Sequence, residues 1–547
     1  MRGVRRIALG AGGRKWQSPG PAFRLPPPWV ALRFYHYVMA KGKYQKPASG
    51  AVLNLKPCLD RRRYIRRYIL SFIVQHLRRG GLICATLWFA GGRLEAGGEP
   101  VCRVKIQVDT QTVVSRIAPD FMGLGYETSA VAQSNYFSAK NTTLVHLYQN
   151  LSPNGLIRIG GNISDHTQYI PDGVAKVQTE EGVTVINQAS LVELGKFVRA
   201  TGWKVMWGLN LRSSSPAAAA REARAVNAAL GSALHSFEIG NEVDFQSQFA
   251  NSYEAYHTAY LAYKLAIRSA LPQAPFSGPD VGGSLDWLTA FAATEAKDVK
   301  LLTHHYYRSG ADNPKATIET LLKHDDQWDV RLDKLQAISR NEGVSYRINE
   351  VNSFSGGGKT GVSDTFAAAL WCLDYMFELA SHGGAGINVE TDINQHAWIS
   401  HYSPIVHDAT GHCHAQPEYY GMLAFALAGK GDLLKLTLDK GEINLSAHAT
   451  KDKRGRLWLT VVNRDLMRDA EVEAVLPAGF ATAAAFRLKA PAVNSLDQVT
   501  FAGAEVSTNG RWTAGMPERL AVSQGAVHLQ VPHASAVLVR VQAGRDF

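Results

Sequence analysis

The sequence predicts a (β/α)₈ barrel followed by a C-terminal antiparallel β-sandwich that also takes N-terminal strands. Three observations predict it. Eight short apolar runs, each ending in polar residues, recur between residues 121 and 392. Most intervals between them carry a helical pattern, such as "PAAAAREARAVNAALGSAL". After about residue 430 only alternating strand patterns remain. Strand and helix repeated eight times over roughly 270 residues is the barrel count. A doubly wound sheet is the alternative, but no Gly-rich phosphate fingerprint follows the first run, "FMGLGYET".

The chain has 547 residues, which suggests two or three domains. Its formal charge is +11, and residues 1–100 carry 19 Lys and Arg against 3 Asp and Glu. The remainder therefore carries 39 against 44. The basic excess belongs to the leader, and the mildly acidic body gives no reason to expect nucleic acid. Residues 1–98 lack a sustained period and read as a largely disordered leader, or as a start assigned too far upstream. Within "LRRGGLICATLWFAGGRLEAGG", Arg78 and Arg79 precede an apolar run from Leu82 to Ala90, with small residues near Ala96. That order is a secretory signal's; a buried helix of a small extra domain is the other reading. Bulky Ile83 before Cys84 argues against lipid attachment there. No later stretch is apolar enough to span a bilayer. The mature protein is expected to be exported, periplasmic or extracellular, without a stable membrane anchor.

Residues 99–118 hold "VCRVKIQVDTQTVVSRI", which alternates as a half-buried strand does and needs a partner sheet. They are expected to join the sandwich of residues 429–547, where "RLWLTVVNRD" and "AEVEAVLP" alternate in the same way. Between them, 119–428 is the barrel. Its runs are "FMGLGYET" (121–128), "GLIRIGGN" (155–162), "WKVMWGLN" (203–210), "HSFEIGNE" (235–242), "APFSGPD" (274–280), "VKLLTHHYY" (299–307), "SYRINEVN" (345–352) and "AGINVETD" (385–392).

Five cysteines form no CxxC pair, and only three lie beyond the leader, so no disulfide framework or zinc site is readable. His407, Asp408, His412, Cys413 and His414 are ligand types, but their spacing matches no metal pattern. They read as a loop at the barrel mouth. No metal and no cofactor are expected.

In such a barrel the chemistry gathers at the C-terminal strand ends. Those ends are polar here: Glu127, Asn162, Asn241-Glu242, Asp280, His304 to Tyr307, Asn349-Glu350, and Glu390 with Asp392. Helix capping explains Asp280 or Asp392 taken singly. It explains poorly why long Glu side chains end strands four and seven, which face each other across the mouth. Two carboxylates there suit glycoside cleavage. One, protonated, donates to the leaving oxygen, while the other, ionised, attacks the anomeric carbon. Glu390 reads as a sugar-hydroxyl acceptor or a member of an ion pair. His305 and Tyr307 alternate with His304 and Tyr306, so one pair should face the helices. Trp398 and Tyr402 suit sugar stacking and core packing equally.

Asn-Glu after strand four with Glu after strand seven resembles the clan of retaining glycosidases on (β/α)₈ barrels. "GLIRIGGNISD", "EIGNEVD", "FSGPDVGG", "LTHHYY" and "NSFSGGGKTGVSDTFAAALWCLDY" resemble glycoside hydrolase family 79, the β-glucuronidase and heparanase family. The likeness runs from about 101 to the C-terminus and is strongest over 155–402. It implies Glu242 as acid/base, Glu350 as nucleophile and Asn241 as the neighbour that binds the sugar 2-hydroxyl. It implies His304 and Tyr306 as wall residues, Tyr402 near the sugar's acidic group, and Glu127 and Asn162 at hydroxyl-binding positions. Members acting on glucuronides have Tyr-Gly-Gly after the nucleophile, where this chain has Ser355-Gly356-Gly357. The amides can still form a nest for an anion, but the aromatic hydroxyl is missing. The endo-acting mammalian members carry a long excised linker early in the barrel, and residues 128–154 leave no room for one. The resemblance thus implies an exo-acting, β-glucuronidase-like enzyme with a glycoside substrate. A neutral β-glycoside, or a non-catalytic carbohydrate-binding role, stays open. Oligomeric state is not readable.

Overall fold

The computed structural model describes residues 101–171, 182–393, 400–408 and 410–543. The basic leader expected over 1–98 and the ring of Trp398 lie outside the described residues. What is described belongs to one compact unit, Leu94–Phe547.

All eight runs form parallel strands, and the strands close into a barrel. In order they are Gly123–Glu127, Leu156–Gly160, Lys204–Leu209, Leu234–Ile239, Phe276–Val281, Val299–Tyr307, Tyr346–Asn352 and Ile387–Glu390. Closure comes where the eighth strand pairs with the first, Val389 beside Leu124. Helices cover the outside and side chains fill the inside, so the second and seventh strands are buried along their whole length. The helices begin where local chemistry permits. Asn187 and Ser190 make a capping box for Gln188–Thr201, and Ser215 caps Pro216–Leu230. Gly202, at φ 81°, ends the first of these in the left-handed region.

The strand Cys102–Ile117 lies inside an eleven-stranded sheet. It pairs antiparallel with Gly431–Asp439 and parallel with Ala470–Val475. The expected sandwich thus takes the form of one continuous curled sheet. Its inward residues, including Ile106, Leu459, Val472 and Val539, enclose a core separate from the barrel's. The parallel pair is possible because the N-terminal strand reaches the sheet from across the barrel sequence, free of a hairpin's geometry.

The helix Phe366–Ser381 is buried nearly all round because it sits between barrel and sheet. Asp374 on it accepts from His448 Nε2 at 2.8 Å and pairs with Arg464 Nη1 at 2.7 Å. Strands Ile405–His407 and Cys413–Ala415 pair antiparallel, and Asp408 accepts from the Thr410 and His412 amides. Among the described residues no helix is long and apolar enough to cross a membrane.

Candidate active site

At the C-terminal ends of the barrel strands lies a cavity of about 760 Å³. Glu127, Asn162, Glu242, Glu350, Ser355, Gly356, Gly357 and Tyr402 all line it. Beneath it is a buried polar layer. Arg158, in the second strand, is fully buried, so its charge requires anionic partners. It donates from Nη1 to Glu350 Oε2 at 2.6 Å, and from Nη2 to Asp280 Oδ2 at 2.8 Å and Asn241 Oδ1 at 2.5 Å. Asn349 Nδ2 links Asp280 Oδ1 at 2.5 Å to Glu238 Oε1 at 2.9 Å.

His305 joins this layer to the cavity. Its Nε2 meets Asp280 at 2.9 Å and its Nδ1 meets Glu242 Oε1 at 3.2 Å, with Glu350 Oε2 at 3.6 Å. Burial opposes a charge on this imidazole. The carboxylates of Glu350 and Asp280 outweigh burial and hold its pKa well above the ordinary value. With both ring nitrogens protonated, it donates to Asp280 and to Glu242.

The two facing glutamates differ in environment. Glu350 is buried, which alone would raise its pKa, but His305 and Arg158 hold it below the usual carboxylate value. The Tyr307 hydroxyl also donates to its Oε1 at 2.9 Å. Glu242 is more open, with 24% of its side chain exposed. It stands in the left-handed region at φ 44°, uncommon for a residue with a side chain, in the turn after the strand Leu234–Ile239. Oxygens of Glu242 and Glu350 and a nitrogen of His305 all lie within 4.8 Å of one another. Three such groups can ligate a metal, but the Arg158 and His305 charges already neutralise Glu350, which disfavours a cation there.

Further acids form one wall. Burial and neighbouring carboxylates raise Glu390 well above the ordinary value, and burial raises Asp392 to about 7. Burial also raises Glu127, to about 8, against the hydrogen bond from the Ile163 amide. Another part of the rim is the loop Ser355 to Gly358, which pairs with Gly310 through Ser355. Gly356, Gly357 and Gly358 all have φ near +80°, and a Cβ at Gly358 would stand 2.8 Å from the Tyr402 nitrogen. Glycine is required there because the loop turns left-handed against a second backbone.

No family model matches the chain. It is 25% identical to a β-glucuronidase from Aspergillus niger over 493 residues, 77% of this chain and 88% of that one. It is 27% identical to heparanase from Rattus norvegicus over 228 residues, covering 37% and 39% of the two chains. Among solved structures it resembles a 4-O-α-L-rhamnosyl-β-D-glucuronidase from Fusarium oxysporum, with TM-score 0.66, 18% identity, and 80% and 99% coverage. The chain is a family 79-like glycoside hydrolase.

In this family 79-like hydrolase most sequence-predicted site residues come together, and two do not. Asn241 lies just behind the cavity wall, 3% exposed, and donates from Nδ2 to Asn162 Oδ1 at 3.2 Å. His304 and Tyr306, expected as wall residues, point outward into the helix layer. The Tyr306 ring stacks on Trp328 at 3.9 Å and its hydroxyl donates to Asp325, while His304 meets Arg331. Successive residues of a strand face opposite sides, so the pair facing the cavity is His305 and Tyr307. Asp280 is not a helix cap either: Ser284 caps the next helix, and Asp280 sits within the buried layer.

Sequence reasoning missed Arg158 and Glu238 entirely. An arginine in the middle of "GLIRIGG" was the available signal, because a charge in a fully buried strand requires a partner.

Proposed function

We propose that the chain is a retaining β-glycosidase acting on terminal β-glucuronides. Glu350 is the nucleophile and Glu242 the acid/base. The observation that carries this is the pairing of a buried Glu350, held ionised by Arg158 and His305, with a more exposed Glu242 whose oxygen lies within 4.8 Å. Carboxyl pairs about 5–5.5 Å apart belong to retaining enzymes, whereas inverting pairs stand about 6.5–9.5 Å apart to admit a water.

In the first half-reaction Glu350 attacks the anomeric carbon as Glu242 gives its proton to the leaving oxygen, and a glycosyl ester forms. In the second, Glu242 takes a proton from water, which displaces Glu350 and regenerates it. His305 holds one Glu242 oxygen, so the other is available to the glycosidic oxygen. Asn241, anchored by Arg158, and Asn162 suit the sugar hydroxyls. A uronate carboxylate fits the Gly356 and Gly357 amides, aided by Tyr402.

A second reading, a neutral β-glycoside substrate, is favoured by one observation. Among the described lining residues are five carboxyl side chains and no Lys, Arg or His. Export through the leader is part of the proposal and rests on the order of segments in residues 78–96.

Turnover of 4-nitrophenyl β-glucuronide, β-glucoside, β-galactoside and β-xyloside decides the sugar. Glu350→Ala and Glu242→Ala should each cost orders of magnitude in rate without unfolding the protein. Wild-type turnover in either variant sinks the assignment, and inversion of the anomeric centre in the first-formed product sinks the retaining mechanism.

A further inference from the structure

Phe245 is the large apolar side chain at the lip of the cavity, and it is 66% exposed. A single exposed phenylalanine on a protein surface is ordinary. Its setting here is not. The ring lies directly on the peptides of Gly282 and Gly283: a Cβ at Gly282 would stand 2.3 Å from Phe245 Cε2 and 3.0 Å from Glu242 Oε1. The aromatic face and the Glu242 carboxyl therefore flank the same glycine.

The turn that carries the ring is also held in place. Asp244 accepts from the amides of Gly282, Gly283 and Ser284 at 2.8 to 2.9 Å, which ties the turn Val243–Phe245 to the loop after the fifth strand. The Phe245 amide donates to the Glu242 carbonyl at 2.8 Å. Arg331 donates to the Gly283 carbonyl from the other side. A flat apolar face fixed in advance binds a partner with little further loss of freedom.

We propose that Phe245 is the floor of a leaving-group subsite, on which the aglycone stacks through a pyranose C–H face or an aryl ring. This rests on the reading of Glu242 as acid/base. The group that protonates the glycosidic oxygen stands at the boundary between the sugar that is retained and the unit that leaves. The acidic wall and the Ser355 loop hold polar groups suited to the first. Phe245 offers apolar area to the second, whose faces are C–H or aromatic. The subsite therefore selects for a flat aglycone and is indifferent to its hydroxyl pattern.

The test compares kcat/KM of wild type, Phe245→Ala and Phe245→Trp on 4-nitrophenyl β-glucuronide and on β-glucuronosyl fluoride, with the matching glucosides in parallel. Fluoride is too small to reach the ring. Phe245→Ala should lose about tenfold more on the nitrophenyl glycoside than on the fluoride, and Phe245→Trp should keep the wild-type ratio. Equal losses on both substrates, or no loss, overturn the proposal. Glu242→Ala turning over the nitrophenyl glycoside at the wild-type rate overturns the acid/base reading beneath it. The two failures are distinct, because the Phe245 ratio is measured with Glu242 intact.

Discussion

Arg158 Nη1 lies 2.6 Å from Glu350 Oε2, a contact between strands two and seven made beneath the cavity floor. The same guanidinium serves Asp280 and Asn241 and stands 3.6 Å from Glu238. Replacing it by Met leaves three buried carboxyls with His305 as their nearby cation. Arg158→Met should destabilise the protein by about 3–5 kcal/mol in urea unfolding. Arg158→Lys should not rescue it, since a single ammonium cannot reproduce the forked contacts.

The Tyr307 hydroxyl donates to Glu350 Oε1, so Tyr307→Phe removes one hydrogen bond to a charged group. Such bonds contribute about 1.5–3 kcal/mol to stability, so Tm should fall, and because this one touches the nucleophile, kcat/KM should fall by about tenfold or more as well. Tyr306→Phe is the contrast. Its hydroxyl serves Asp325 in the helix layer, so stability should drop while kcat/KM stays within a few-fold. The reverse pattern would restore the outward pair to the site.

Asp392 titrates at about 7 in the folded protein because it is buried. Raising pH through 7 therefore adds a negative charge to the cavity wall. Hydrolysis of a β-glucuronide should fall through that range more steeply than hydrolysis of a β-glucoside, and Asp392→Asn should reduce the difference, leaving the part due to Glu127, which burial raises to about 8. The stability sign agrees. A carboxyl raised in the folded state contributes fully below its unfolded pKa, and that contribution is lost as pH rises through about 7. Paired pH–rate profiles check the first effect and pH-dependent Tm values the second.

Asp374 behaves oppositely. Burial would raise it, but Arg464 and His448 hold it well below the usual carboxylate range. Its contribution is present above the unfolded pKa, about 3.9, and is lost as pH falls. Asp374→Asn leaves Arg464 buried without its counter-charge and should cost about 3–5 kcal/mol at neutral pH. The same variant should unfold less steeply in acid. Because Asp374 joins the Phe366–Ser381 helix to the sheet, far from Glu350, rates below Tm should remain near wild type.

The barrel was legible because its strands announce themselves locally. "GLIRIGGN" and "SYRINEVN" are short apolar runs with polar ends, and counting them placed Glu242 after strand four and Glu350 after strand seven. The facing of strand six was not legible. "LTHHYY" has the same residue types in both registers, and only packing against Trp328 on one side and the cavity on the other separates them. Asp280 looked like a helix cap because capping is a local role, while its real partners come from strands two, six and seven.

The sequence by itself determined the strand count, the alternation, the strand-end carboxyls and the glycines of the Ser355 loop, all properties of short segments and their order. Only the tertiary structure decided which carboxyl is held ionised, which histidine meets it, and that Phe245 lies against Gly282 at the cavity lip. Those facts depend on side chains that converge from strands far apart in sequence. A buried charge is also set by every neighbour packed around it, and no single segment contains that information.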